Sequence, residues 1–277
     1  MSESVQKVDI EAIIASKTNR KFPKFLVNLL KKIAHQDELN ESIDLAEHKS
    51  GILFCTEALK YLDITYELRG QENLPANGKF IFAANHPLGG PEALILGDVL
   101  HNFYGDKIRI PVNNLLAHFD PLKELFIPVN TFSSKQERDL GEKMNDMFNS
   151  DNQVLLFPAG KCARKIKGEV TEMPWKKMFV TRARLSQRDV IPVFFSGHNS
   201  KFFFFMSDLS NFLGLKVNLA MLFLVDELFK KKHHKFTIIF GNPIPWQTFD
   251  KSKTDNDWAA HVRKISCDLG HQLQAQK

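Results

Sequence analysis

Apolar residues recur along this chain with two alternating periods. Near the N-terminus, FPKFLVNLLKKIAHQ places Phe22, Phe25, Leu26, Leu29, Leu30 and Ile33 at i, i+3, i+4, i+7, i+8 and i+11. That one-sided stripe predicts an amphipathic helix. Lys17, Arg20, Lys21, Lys24, Lys31 and Lys32 surround it, so the helix is expected to rest on either a domain core or an anionic lipid surface. A second helix is expected near Ile52 to Tyr61, ahead of a strand in ITYELRG. From Lys79 onward short apolar runs alternate with helical periods. KFIFAAN, KIRIPVN, IPVN, QVLLFPAG, DVIPVFFSG and KFTIIFGNPI read as strands, and PEALILGDVL and KQERDLGEKMNDMFN as helices. MPWKKMFVTRARLSQ is expected to be helical with Pro174 in its first turn. The Phe-rich stretch from Phe202 to Lys232 predicts one or two helices. The last helix opens on Thr254-x-x-Asp257, a capping-box pattern, and carries Trp258, Val262, Ile265, Leu269 and Leu273 on one face.

Strands separated by helices predict an α/β fold: a mixed, largely parallel sheet flanked by helices, preceded by an N-terminal helical segment. The one seam falls at QENLPANG. It divides a helical, membrane-associating candidate segment over residues 1–70 from an α/β domain over residues 71–277.

Composition sharpens this only in places. At 277 residues and 43% hydrophobic content the chain can bury a substantial core. A net charge of +5 favours anionic partners such as phosphates, acidic carrier proteins or an anionic membrane surface. The 24 Phe against three Trp and three Tyr suit a greasy interior or lipid-facing surface better than base stacking. With cations interleaved among Phe-rich strands, no nucleic-acid partner is expected. Cys55, Cys162 and Cys267 show neither a disulfide framework nor zinc spacing, which points to a reducing compartment. The N-terminus lacks a basic region followed by an apolar one, and the longest apolar run, Leu219 to Val225, is far short of the roughly 20 residues of a spanning helix. A cytoplasmic protein lying on the inner face of the membrane is the expected location.

Four strand exits carry candidate chemistry. Asn85 and His86 follow the KFIFAA run, with Pro87, Gly89, Gly90 and Pro91 shaping a rigid turn before Glu92. A histidine held by a carboxylate is a good general base near neutral pH. The same residues would also serve as a helix cap with an acid in its first turn. LLFPAGKCARKIKG ends a strand in Gly160 and then supplies Lys161, Arg164 and Lys165 within a basic loop, a set suited to phosphate or carboxylate. Cys162 within it lacks a sequence-linked histidine partner and is not expected to be a nucleophile. FIPVNTFSSKQER offers Asn130 and neighbouring polar side chains for a headgroup, without a serine-hydrolase elbow. His198 and Asn199 follow a fourth strand, ahead of four phenylalanines expected mainly in the core. His233 and His234 are adjacent, point apart and do not suggest a metal pair.

With these residues in view, the chain resembles the glycerolipid acyltransferase superfamily, which includes 1-acylglycerol-3-phosphate acyltransferases, over roughly residues 65–245. Asn85-His86 with Glu92 resembles its Asn-His-x4-Asp block, and FPAG with Arg164 its Phe-Pro-Glu-Gly-Thr-Arg block. FIPVN and VIPV occupy the places of its Phe-Ile-Asp-Arg and Ile-Val-Pro-Val blocks. Five residues rather than four separate His86 from the acid, the acid is Glu, Ala159 replaces the acid of the third block, and Asn130 or its neighbours stand where arginine is expected. NHPLGG is most similar to a divergent bacterial branch that includes O-acyltransferases of amino-acid lipids such as glycine or ornithine lipids.

The resemblance implies transfer of a fatty acyl group from acyl carrier protein or acyl-CoA, as co-substrate, to the hydroxyl of a lyso-lipid. It implies His86 as general base and Glu92 as orienting acid, with Asn85, Asn130, Gly160, Lys161, Arg164 and Lys165 binding substrates. No metal or redox cofactor is implied. A thioesterase or lipid esterase with the same pair, and a non-catalytic lipid-binding protein of the same fold, are the other two readings of these residues.

Overall fold

The computed structural model describes residues 6–17, 23–46, 49–113, 119–129, 137–214 and 218–275. Four helices come first: α1 (Ile10–Lys17), α2 (Lys24–Ile33), α3 (Gln36–Leu45) and α4 (Gly51–Tyr61). The remainder runs β1 (Thr65–Arg69), β2 (Phe80–Ala84), α5 (Pro91–Tyr104), β3 (Ile108–Asn113), β4 (Phe126–Val129), α6 (Glu137–Asn149), β5 (Gln153–Leu156), β6 (Arg164–Ile166), β7 (Glu169–Thr171), α7 (Met178–Ser186), β8 (Asp189–Phe195), α8 (Lys201–Phe212), α9 (Leu224–Phe229), β9 (Lys235–Phe240) and α10 (Asp255–Ala275).

Seven strands form one sheet in the order β1-β9-β8-β2-β5-β3-β4. All pairs are parallel except β8 with β9, so the sheet is mixed and largely parallel, as the pattern predicts. The central strands are buried on both faces, which is why β2 reads as an unbroken apolar run. Phe80, Phe82 and Ala84 face a layer containing α4 and α5, while Ile81 and Ala83 face α6, α7 and α10. Phe54, Cys55, Ala58 and Leu59 of α4 belong to the same core as the sheet, so that core extends across residue 70.

Chain reversal marks where an α/β sheet of this kind would take a ligand. From β2 the chain passes through α5 to β3 on one side, while from β5 it returns through α7 to β8 on the other. The carboxyl ends of β2 and β5 therefore flank a topological switch point, where open α/β sheets bind their ligands.

Several expectations are corrected. The basic loop after β5 is a hairpin, β6–β7, closed by Lys167 and Gly168 at φ +51° and +89°, the positive values of a tight two-residue turn. Helix α7 starts at Met178, leaving Pro174 in the irregular segment before it. Helix α2 forms as expected; of its residues Val27 is buried, and Phe25 and Leu29 of the stripe are 75% and 49% exposed, away from the domain core. Of the four phenylalanines opening α8, Phe203 and Phe204 are buried and Phe202 and Phe205 are not.

In α10 the capping box forms, with Thr254 donating its hydroxyl to Asp257 and accepting from the Asp257 amide. Its buried face is Trp258, Ala259, Val262, Ser266 and Gly270; Ile265 and Leu269 are half-buried, and the Leu273 side chain lies outside the described residues.

Candidate active site

The loop from His86 to Glu92 is organised around one buried carboxylate. Pro91 begins α5 at the position where its missing N–H costs nothing, and Glu92 follows in the first turn. Its side chain folds back over the loop: Oε1 accepts from the amides of Leu88 and Gly89 at 2.9 Å each, and Oε2 from Gly90 at 3.0 Å. Gly89 permits this with φ +96°, where a Cβ would stand 2.8 Å from Leu224 and 3.2 Å from Cys162. Glu92 is fully buried. Burial alone would push its carboxyl up, but the His86 ring and the loop amides outweigh that and hold it below its ordinary value.

His86 Nδ1 lies 2.9 Å from Glu92 Oε1. The contact is close but off the line of a straight N–H···O bond. The facing carboxylate still favours the tautomer with its proton on Nδ1, which leaves Nε2 as the basic nitrogen. The His86 ring stacks on Phe157 at the end of β5, with centroids 4.5 Å apart and planes 26° apart. Below it, the His86 amide donates to both oxygens of Glu172 at 3.2 Å, and its carbonyl accepts from the Ala163 amide at 2.8 Å. Ring, main chain and carboxylate partner are thus all fixed.

Glu172 had no signal in the sequence. It arrives from the segment after β7, also accepts from Trp175 Nε1 at 3.0 Å, and its carbonyl accepts from Arg263. Burial pushes its carboxyl up, and bonds from Trp175 and the His86 amide only partly offset this.

The other sequence candidates divide. Asn85 is buried and works as a clamp: Nδ2 donates to Phe195 O at 2.9 Å and Oδ1 accepts from Phe195 N at 2.6 Å, tying β2 to β8. With both ends of its amide committed to backbone, it stands as a strand tie rather than a substrate contact. The Gly160 amide is also committed, donating to Phe157 O at 2.9 Å in a turn with φ +65°. Ala159 points into the core among α6, α7 and α10. Arg164 donates to Cys162 Sγ at 2.8 Å and lies over the Phe203 ring. Lys161 and Lys165 are exposed. Asn130 lies outside the described residues. Cys162 is buried against the His86–Glu92 loop, and burial pushes its thiol up despite Arg164, which favours the neutral thiol over the reactive thiolate.

Two further residues join the site. Asn199 is fully buried and donates to Leu88 O at 2.8 Å, bracing the loop from the β8 side. The Lys176 amine lies against Gly160, where a Cβ would meet it at 3.2 Å.

A histidine facing a buried carboxylate, with exposed lysines on the neighbouring loop, is a set of groups suited to acyl transfer to a hydroxyl. The chain matches the model of the family described as Acyltransferase over residues 10–276. This chain belongs to that family and is an acyltransferase. It is 43% identical over 266 residues to a lyso-glycine lipid O-acyltransferase of Phocaeicola vulgatus, covering 95% of each chain. It is 42% identical over 266 residues to a lyso-glycine lipid O-acyltransferase of Bacteroides thetaiotaomicron, covering 95% of this chain and 97% of that one. Its fold matches the crystal structure of the 1-acyl-sn-glycerophosphate acyltransferase PlsC from Thermotoga maritima. The TM-score is 0.53 at 14% identity, covering 95% of this chain and 88% of that one. Among the described residues of this acyltransferase, no helix is long and apolar enough to cross a membrane.

Proposed function

We propose that this acyltransferase moves a fatty acyl group from a thioester donor to the hydroxyl of a lyso-lipid carrying an amino-acid headgroup, of the glycine-lipid type. The observation that carries the reading is His86 backed at Nδ1 by the buried Glu92 carboxylate, 2.9 Å away, on a loop whose amides are spent holding that carboxylate. Similarity at 43% identity to a lyso-glycine lipid O-acyltransferase supports the acceptor.

In the proposed mechanism His86 Nε2 removes the acceptor hydroxyl proton as that oxygen attacks the thioester carbonyl carbon. The Glu92 carboxylate stabilises the imidazolium so formed. Collapse of the tetrahedral intermediate breaks the C–S bond, and the proton passes from His86 to the departing thiolate. A positioned base of this kind is worth about 10²–10⁴-fold. The chemistry calls for no metal or redox cofactor. The donor is acyl carrier protein or acyl-CoA, whose phosphates would meet Lys161, Lys165 and Arg164 at the crevice mouth. In this reading the enzyme is cytoplasmic and peripheral on the inner face of the membrane. Residues 1–70 would contribute the membrane contact, through Phe25, Leu29 and Lys24 on the exposed side of α2, and residues 71–277 the chemistry.

The test uses purified enzyme, labelled acyl carrier protein and acyl-CoA in parallel, and a panel of lyso-glycine, lyso-ornithine and lysophosphatidic acceptors, with products resolved by mass spectrometry. A doubly acylated glycine lipid, lost in His86→Ala, is the expected result. Free fatty acid formed equally with and without acceptor would instead make the enzyme a hydrolase. Undiminished transfer by His86→Ala would remove His86 from the mechanism.

A further inference from the structure

The segment between β8 and β9 has an apolar outer surface that the chemistry above does not use. Helix α8 buries Phe203, Phe204, Ser207 and Ser210 and turns Phe202, Phe205 and Phe212 outward at 45%, 61% and 87% exposure. A soluble helix with one buried face ordinarily makes the opposite face polar. Here Leu213 continues the surface at 54% exposure, and Met221 and Leu222 extend it at 44% and 47% on the one-turn segment after the helix. The surface is one structure, because the Phe202 ring meets Phe223 edge-on with centroids 5.0 Å apart.

Two observations point to its occupant. The first is charge. Lys201 heads the helix, and the β6–β7 hairpin, whose first strand lies against α8, adds exposed Lys165 and Lys167 beside exposed Ile166 and Val170; Asp208 and Glu169 are the opposing acids. Large apolar side chains rimmed by lysines match the boundary between acyl chains and anionic headgroups. The second is continuity with the catalytic loop. Phe203, Phe204, Ala220 and Cys162 form one packed cluster with Leu224, and both Leu224 and Cys162 abut Gly89. Arg164 lies over Phe203, and Asn199, just before α8, holds Leu88 O. The inner side of the segment therefore supports the His86–Glu92 loop while its outer side is greasy.

We propose that the outer surface of α8 and the following turn docks on an anionic lipid bilayer, bringing the crevice to the plane from which a lipid acceptor is withdrawn. This rests on the lyso-lipid reading above and places a contact well outside residues 1–70. Exposed phenylalanines insert, the lysines meet headgroups, and the acceptor reaches His86 without its chains crossing water.

The test separates docking from chemistry. Full-length enzyme is sedimented with vesicles of phosphatidylethanolamine and phosphatidylglycerol, comparing wild type, Phe205→Ser/Phe212→Ser, and the control Leu185→Ser, whose site on α7 is 71% exposed. Transfer to a water-soluble, short-chain lyso-glycine acceptor is measured alongside. The α8 variant is expected to lose vesicle partitioning by about tenfold or more. It should keep soluble-acceptor turnover within about twofold, with the control unchanged in both. Partitioning that survives in the α8 variant, or falls equally in the control, overturns the proposal. So does a wild-type dimer that the α8 variant dissolves without losing vesicles, since the surface would then belong to a second copy of the chain. Absence of transfer by wild type, with docking still dependent on α8, would sink the reaction and leave the surface standing.

Discussion

Replacing Glu92 by Gln separates the two duties of this carboxylate, because it preserves shape and removes charge. In the native loop three backbone amides donate to a buried anion at 2.9, 2.9 and 3.0 Å. Hydrogen bonds to charged groups are worth about 1.5–3 kcal/mol each, and neutral ones about half that. Glutamine keeps one acceptor oxygen for the Leu88 and Gly89 amides, so those two weaken, and its NH2 faces the Gly90 N–H, so that bond is lost. Burying a neutral side chain also removes a desolvation cost, and the net expectation is a loss of about 2–4 kcal/mol. For a chain of this size that lowers Tm by roughly 5–12 °C.

The pH dependence fixes the sign. The native carboxyl is held below its ordinary value of 4.5, so its stabilisation is complete above that pH and fades as pH falls through the lower, folded value. Calorimetry of both proteins from pH 8 downward is expected to show a gap that is constant above the ordinary value and narrows below it. Transfer should fall by about 10²–10⁴-fold at neutral pH if the charge is what makes His86 an effective base. A variant within about 1 °C of wild type at pH 7 would refute the amide cradle. A stable cradle loss with full activity would refute the orienting role.

Other substitutions test the neighbouring parts. Asn85→Ala removes two buried bonds between β2 and β8, and is expected to cost about 2–4 kcal/mol while leaving KM for the acceptor unchanged in folded enzyme. Denaturant melts and steady-state kinetics distinguish this from a substrate contact. Gly89→Ala meets Leu224 and Cys162 at a positive φ, and should lose about 1–3 kcal/mol together with activity, since the same residue shapes the carboxylate cradle. Glu172 has its carboxyl raised by burial, so folding favours its protonated form and stability declines as pH rises from the ordinary value of 4.5 up through the raised folded value. Glu172→Gln should therefore flatten that decline in calorimetry, a trend opposite in sign to that of Glu92→Gln. Arg188 is fully buried with its guanidinium on the carbonyls of Phe148, Ser150 and Asn152. Arg188→Lys, with one donor head for three acceptors, should lose about 3 kcal/mol in urea melts.

The elements that sequence reading found are those whose burial dictates composition. Strands β2, β5 and β8 have apolar residues on both faces, because helices cover both sides of a parallel sheet, and they stand out as unbroken runs. What escaped notice was held together by local polar geometry or by small residues. The β6–β7 hairpin has mostly exposed residues and is defined by its own ladder and the Lys167-Gly168 turn, not by a hydrophobic face. Helix α10 turns Ser266 and Gly270 inward rather than only its large side chains. At Gly270 a Cβ would stand 2.3 Å from the Phe194 ring, and Ser266 donates to Val193 O at 2.6 Å. Close approach to β8 selected for the absence of bulk, which a search for apolar periodicity reads as a weak position.

The His86–Glu92 loop was legible for a different reason, and only in half. On spacing alone His86 and Glu92 read equally well as a helix cap with an acid in its first turn; the resemblance of Asn85-His86 and Glu92 to a known acyltransferase block is what favoured the functional reading. The contacts that make the pair rigid were not legible: Glu172 and Phe157 carried no signal of their own, and Asn199, though noted at a strand exit, gave no sign that it would hold Leu88, because all three reach the loop from other strand ends. The fifth spacer residue also acquires a physical meaning. A longer loop would move an acid on the helix away from the histidine, but Glu has one methylene more than Asp, and the loop wraps its additional amide around the carboxylate rather than bulging outward. Leu88, Gly89 and Gly90 each contribute one N–H to Glu92. Acid and spacer therefore form one device: shortening the acid without shortening the loop should break it. Glu92→Asp is expected to lose the His86 contact and at least one amide bond, falling about as far in activity as Glu92→Gln. Glu92→Asp combined with deletion of Gly90 should recover part of the loss. Glu92→Asp activity equal to wild type in the same acyl-transfer assay would show that reach and spacer are independent.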